Sequence, residues 1–124
     1  MAFRFVRPST ATLTISGGDT LTVKNRLNTG EARHLRGMQM FSTLERVALV
    51  IAYVVDWTLK DAQGALVEIP RDKDGDVDSK AFGTIIDRLD PDDSDEIIAA
   101  LEKHIAAVKA ERDAEKQAPF GENK

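Results

Sequence analysis

The chain has 124 residues, of which 42% are hydrophobic and 31% charged, and its 17 basic and 21 acidic residues give a net charge of −4. This length suits one domain with its own core, and the lack of cysteine excludes disulfides, thiolate metal sites and cysteine nucleophiles. The acidic balance, without a basic cluster, argues against a nucleic-acid binder. The longest apolar run, residues 47–55, is about half of the roughly 20 residues that a membrane span needs. We therefore expect a soluble protein that contacts neither nucleic acid nor membrane.

The amino-terminal part of the chain predicts an arm over residues 1–11 and then a β-hairpin. Apolar and polar residues alternate in residues 12–15 and again in residues 20–24. Gly17 and Gly18 lie between the two segments and can supply the positive φ angles of a tight turn.

A helix is predicted directly after the hairpin. Asn28 can act as its N-cap, and Glu31 three residues later completes a capping-box pattern. The helix should continue to about Met40. Two of its apolar residues are expected to be buried, Leu35 and Met38.

Residues 44–59 form a nearly continuous apolar run whose interpretation is ambiguous. The many β-branched residues favour a strand covered on both faces. The alternative is a buried helix from Leu44 to about Val54, with a strand starting at Trp57, because periodicity does not separate the two in a continuous apolar run. The polar residues 60–64 then predict a turn, and residues 65–69 predict a returning strand, which makes a second hairpin.

Trp57 is the only tryptophan of the chain. We expect it to anchor the strand in the core, with its indole N–H donating to a carbonyl oxygen. The alternative is that it anchors an interface with another protein.

The last third of the chain predicts two helices. Residues 79–89 carry an apolar stripe, and Asp90-Pro91 combines an N-cap with proline at the first helical position. The second helix should span about residues 91–116 and leave residues 117–124 as a flexible tail. The complete prediction is one α+β domain over residues 12–116, in which a small antiparallel sheet built from two β-hairpins packs with about three helices, the last one long and charged.

The aspartates of residues 72–78 resemble the opening of an EF-hand calcium loop. Such a loop requires glycine at position 6 and glutamate at position 12, where this chain has Val77 and Gly83. We therefore expect an acidic surface loop, and a weak cation site is the alternative. The aspartates concerned are Asp72, Asp74, Asp76 and Asp78.

No pattern in the sequence predicts catalysis or a cofactor. His34 and His104 are seventy residues apart, and neither belongs to a metal-binding spacing such as HxxxH. We expect a protein that is not an enzyme and holds no cofactor and no metal.

The long helix carries an apolar stripe with spacings of three and four, which is typical of a coiled-coil seam. Packing against the domain's own sheet explains the first half of this stripe. After Val108 the sequence is nearly all alanine and charge, so that half is expected to be either solvated or ordered by a second protein. The stripe consists of Ile98, Leu101, Ile105 and Val108.

The order of these features resembles the tail assembly chaperones of long-tailed bacteriophages. The similarity extends over about Thr12 to Lys116 and includes the helix start Leu27-Asn28-Thr29-Gly30-Glu31 and the segment Asp56-Trp57-Thr58-Leu59 with its turn at residues 61–64. The charged, alanine-rich helix that follows Asp90-Pro91 is its other specific element.

The resemblance implies a non-enzymatic protein of the infected host's cytoplasm. Such a protein binds the long, helical tape measure protein and keeps it soluble until tail-tube subunits polymerise around it. Contact with the tail tube protein and formation of a homo-oligomer stay open. The partner-binding residues expected from the seam are Leu101, Ile105 and Val108, together with the surface around Leu35 and Met38.

A structural subunit of the virion is the alternative function. It could be a tail, head–tail connector or decoration protein, and it would reside in the particle. The arm at Ala2–Pro8, alternately apolar and basic, could add a strand to a neighbouring subunit.

Overall fold

The computed structural model describes residues 4–41 and 47–121. These residues form a three-stranded antiparallel sheet and four α-helices, of which the last is long, so the predicted α+β class is confirmed. The strands are β1 (Thr10–Thr14), β2 (Thr20–Lys24) and β3 (Val54–Trp57). The helices are α1 (Thr29–Phe41), α2 (Ala48–Tyr53), α3 (Ser79–Ile86) and α4 (Pro91–Gly121). The last helix continues past its predicted end at Lys116.

The sheet has the strand order β1-β2-β3, so β2 lies in its centre. The predicted first hairpin is confirmed: β1 pairs with β2, and Gly17 and Gly18 form the turn between them with φ angles of 75° and 84°. Only glycine adopts such angles without strain. Leu21 and Val23 of the central strand are fully buried, since the sheet is covered by helices on that face.

The preferred prediction of a strand over residues 44–59 was wrong in its first part. Residues 48–53 form the helix α2, and only Val54–Trp57 form a strand; residues 44–46 lie outside the described residues. A sixteen-residue strand would extend about 50 Å, whereas β1 and β2 have five residues each to pair with. Four residues of β3 satisfy the sheet, and the preceding apolar residues are buried as a helix instead.

Only the turn of the predicted second hairpin forms, and the returning residues 65–69 are not a strand. Asp61 Oδ1 accepts the backbone N–H groups of Gln63 and Ala65, and the return is limited to an isolated bridge between Lys60 and Leu66. The Val67 carbonyl accepts the indole N–H of Trp57 at 2.6 Å, so a side chain uses the acceptor that a strand ladder would need.

The predicted core position of Trp57 is confirmed. Its side chain is 4% exposed, and its ring meets the ring of Phe82 edge-on, with the centroids 5.2 Å apart. The indole N–H donates to a carbonyl oxygen, as expected. Trp57 therefore ties the sheet to α3 and to the segment that follows the turn.

Local side-chain caps fix where α1, α3 and α4 begin, whereas α2 has none. The predicted capping box of α1 is confirmed: Asn28 Oδ1 accepts the Glu31 N–H at 2.8 Å, and Glu31 Oε1 accepts the Asn28 N–H at 2.9 Å. The Asp78 carboxylate accepts the Ala81 N–H at the start of α3. Asp90 caps α4 through the N–H of Asp92.

One apolar cluster joins the sheet to all four helices. Its members come from β2, β3 and each helix, and they include Met38 of α1 and Leu101 of α4. The largest side chains buried completely in this cluster are Phe82, Leu21, Ile97, Leu101, Val23, Val50 and Val54.

Candidate functional site

The first half of α4 is anchored to the domain. The hydroxyl and the backbone N–H of Ser16 donate to the two carboxylate oxygens of Glu96, at 2.7 and 2.8 Å. One side of the helix buries Ile97 and Leu101 in the core. His104 Nε2 lies 2.9 Å from Asn25 Oδ1, a distance at which the ring N–H donates to the amide oxygen. These bonds connect residues about 80 positions apart in the sequence.

The hydrogen bonds from Ser16 favour the ionised form of the Glu96 carboxylate. The hydroxyl and the backbone N–H of Ser16 lower the pKa of Glu96 below its ordinary value. Glu96 is therefore charged at neutral pH, and both of its oxygens are engaged by the turn between β1 and β2.

The second half of α4 leaves the core. Among the side chains that the structure describes, Ile105 is the last one of the helix that packs against the apolar cluster, and the helix continues to Gly121, about 24 Å farther at 1.5 Å per residue. We call residues 106–121 the distal helix. Its only ion pair in the described residues joins Lys109 and Asp113, 3.1 Å apart on adjacent turns. An exposed pair of this kind contributes little, so the distal helix has weak support of its own.

The five residues predicted to bind a partner do not share one surface. Leu101 is 0% exposed and Met38 is 6% exposed, so both are part of the core and are not accessible in this fold. Leu35 and Ile105 are half-buried and pack against the core. Val108 is half-buried but lies outside the apolar cluster. Of the predicted set, Val108 is the residue whose apolar surface is least used by the domain itself.

Two adjoining grooves follow α1. The first has a volume of about 520 Å³ and is open; it is lined by Gly30, Arg33, His34, Gly37 and Met38. The second, of about 760 Å³, shares Gly30 and His34 with it and extends to the loop of residues 71–80.

Several charged groups along the second groove are paired with one another or with the backbone. Lys24 Nζ lies 2.6 Å from Glu31 Oε2, and the Arg71 guanidinium donates to the Val55 carbonyl. Burial alone would raise the pKa of Glu31, but the hydrogen bond and charge of Lys24 and the N–H of Asn28 lower it. Lys24 and Arg71 are engaged in this way, whereas Arg33 in the first groove and Lys80 in the second are exposed cations.

The aspartate loop is organised by its own backbone. Asp72 Oδ1 accepts the N–H groups of Asp74 and Asp76, and Gly75 has a φ of 87°. Asp78 is occupied by the cap of α3. In the parts of the chain that the structure describes, no group of three or more His, Cys, Asp or Glu side chains could hold a metal ion.

The one contact that resembles a catalytic pair lies beside the grooves. His34 Nε2 is 3.3 Å from Ser79 Oγ, and both side chains are near the surface. A base that activates a serine is normally oriented by a third group on its other ring nitrogen. No carboxylate is bonded to His34 within the described ranges, so the contact lacks that arrangement.

Other exposed apolar residues were not singled out from the sequence. Phe5 is 89% exposed in the arm, Met40 is exposed near the end of α1, and Leu66 is exposed in the segment after the second turn. Each has an apolar neighbour in the sequence, namely Val6, Phe41 and Val67, so its exposure was not evident from the pattern. None of them lies on the same helix as Val108.

Comparisons with known proteins add no relative: no protein-family model, no curated protein and no solved structure matches the chain. Among the described residues, none of the helices has a stretch long and apolar enough to cross a membrane.

Proposed function

We propose that this protein is a non-enzymatic tail assembly chaperone that binds a phage tape measure protein in the host cytoplasm. It would keep that protein soluble until the tail tube polymerises around it. The observation that carries the proposal is the distal helix, which continues about 24 Å beyond Ile105, the last described side chain of the helix that packs on the core. The resemblance over about Thr12 to Lys116 supplies the identity of the partner.

The physical argument starts from the weak support of the distal helix. The anchored first half supplies the nucleus of this helix, but its last turns fray when nothing packs on them, so a bound partner would stabilise it. Val108 offers the apolar contact, because it lies outside the apolar cluster of the domain. An unfinished tape measure protein exposes apolar stretches that aggregate, and reversible cover by such a helix keeps them in solution.

Coexpression with a phage tape measure protein tests the proposal. The Val108→Asp variant places a charge on the apolar contact and should lower the amount of soluble tape measure protein captured about tenfold or more. Ala106→Asp is the matched control, because residue 106 is exposed and lies about 200° around the helix from residue 108. It adds the same charge and should leave capture unchanged.

Ala106→Asp should melt at the same temperature as the wild type, because residue 106 is exposed. Val108 is half-buried, so circular dichroism is used to check that Val108→Asp keeps the helix content and the cooperative melting of the wild type. Equal capture by Val108→Asp and wild type, with both folded, would remove the distal helix as the contact. Failure of the wild-type chain to raise the solubility of the tape measure protein would reject the function itself.

A structural virion subunit is the second candidate, and the exposed arm favours it. Phe5 lies five residues before the start of β1 and is 89% exposed, as expected of a segment that a neighbouring subunit covers. Mass spectrometry of purified particles separates the two functions. A chaperone is missing from them, whereas a subunit is present in a fixed copy number.

A further inference from the structure

The two edges of the sheet are treated differently by the fold. At the β3 edge, the Arg71 guanidinium donates to the Val55 carbonyl, and the bridge between Lys60 and Leu66 continues beyond the strand. At the other edge, no strand of the described chain pairs with the outer side of β1. The sheet therefore has one covered edge and one open edge.

The register shows which backbone groups of β1 face outward. The Asn25 N–H donates to the Ser9 carbonyl at 3.0 Å, and the Ile15 N–H donates to the Asp19 carbonyl at 2.9 Å. Since bonded residues alternate along an antiparallel pair, the odd-numbered residues of β1 bond to β2. The N–H and C=O groups of Thr10, Thr12 and Thr14 consequently point away from the sheet.

This open edge lacks the features that normally block pairing. Proteins protect free edges with charged residues, proline or bulges, but β1 reads Thr-Ala-Thr-Leu-Thr and pairs with β2 without a bulge. Its inward-facing residues Ala11 and Leu13 are only half-buried, whereas Leu21 and Val23 on β2 are fully buried. A strand added at this edge would cover the remaining apolar surface.

We propose that two copies of this protein pair through β1, antiparallel and centred on Thr12. In this register Thr12 faces Thr12 of the second copy, and Thr10 faces Thr14, so the outward groups form on the order of six hydrogen bonds. The strand carries no charge, so its close approach to a copy of itself brings no like charges together. A two-fold axis makes the contact closed, and the product is a six-stranded sheet shared by two copies.

Single-cysteine variants test the register directly, because the chain has no cysteine of its own. Opposed bonded residues have Cα atoms about 5.5 Å apart, which is within the range of a disulfide. Thr12→Cys should form a covalent dimer on mild oxidation. Thr14→Cys is the matched control on the same strand and face: its two copies would be about 13 Å apart along the strand and should stay monomeric.

Sedimentation over a range of concentrations tests the affinity. The wild type should be a dimer that dissociates on dilution, and Thr12→Pro should raise its dissociation constant about tenfold or more, because both central bonds use a Thr12 N–H. The fluorescence of Trp57 reports whether Thr12→Pro folds. If it does not, two variants of opposite charge at residue 12 are used in its place. Thr12→Lys and Thr12→Glu should each be monomeric and should form a mixed dimer when combined, whereas Thr22→Lys on the central strand should dimerise like the wild type.

A wild type that is monomeric at about 100 µM, where a micromolar complex would be formed, overturns the proposal. So does a dimer that cross-links equally through residues 12 and 14 or ignores every change at Thr12, because it must use another surface. These measurements contain no tape measure protein, so their outcome is independent of the proposed chaperone function.

Discussion

The Trp57→Phe substitution probes the contact that holds the segment after the second turn. The indole N–H of Trp57 donates to the Val67 carbonyl at 2.6 Å, and the ring packs edge-on against Phe82. Phenylalanine keeps an aromatic ring beside Phe82 but has no donor. The substitution therefore removes the hydrogen bond while preserving most of the aromatic contact.

The expected cost is about 2 kcal/mol in the free energy of unfolding. Loss of the hydrogen bond to a partly buried carbonyl accounts for about 1 kcal/mol. The smaller ring leaves a cavity of roughly 40 Å³, which at about 24 cal/mol per Å³ adds about 1 kcal/mol. For a domain of this size the sum should lower the melting temperature by about 6–10 °C.

Urea unfolding followed by circular dichroism measures this cost, since the variant has no tryptophan fluorescence. Leu66→Ala is the control, because Leu66 lies in the same segment with an exposed side chain and should cost less than about 0.5 kcal/mol. Hydrogen exchange adds a local test: the Val67 N–H, bonded to the Leu59 carbonyl at 2.9 Å, should exchange faster in Trp57→Phe. A cost no larger than that of the control would refute the reasoning.

Two further substitutions test the electrostatics of the helix starts. Burial alone would raise the pKa of Glu31, but Lys24 and the Asn28 N–H lower it below its ordinary value of 4.5. The charge of Glu31 therefore stabilises the fold at pH values above 4.5, and this stabilisation is lost as the pH falls through the pKa of the folded state. Glu31→Gln should reduce the unfolding free energy at pH 7 by at most about 1 kcal/mol, and the difference from wild type should shrink below pH 4.5; a difference independent of pH would contradict this. Asp78→Ala should lower the free energy of unfolding by about 1 kcal/mol, because it removes the side-chain cap of α3. Asp74→Ala is the control, because its side chain caps no helix, and it should cost less than half as much. Equal costs would contradict the role of Asp78 as the cap.

The features that sequence reasoning predicted correctly depend on nearby residues. The capping box joins Asn28 to Glu31 across three positions, and the first turn needs only the positive φ angles of Gly17 and Gly18. Each was recognisable because the interacting groups lie within a few residues of one another.

The features that were missed depend on packing at a distance. The run before Trp57 becomes a helix because β1 and β2 are too short to pair with a long strand. Similarly, the seam of α4 placed the end of the covered part at Val108, about one turn beyond Ile105, where the apolar cluster ends among the described side chains. The bonds of Ser16 with Glu96 and of Asn25 with His104 fix that limit, and no local pattern predicts them.

The two proposed surfaces reinforce each other if both are correct. A dimer paired through β1 would carry two distal helices, one from each copy. Once the first helix binds a long partner with repeated apolar stretches, the second is held near the next stretch, and its binding is governed by effective concentration. A single weak contact at Val108 would then suffice for retention, while each helix could still dissociate separately as tube subunits arrive. Weak individual contacts are therefore an advantage for a protein that must be displaced, because a tight one would have to be broken in a single step.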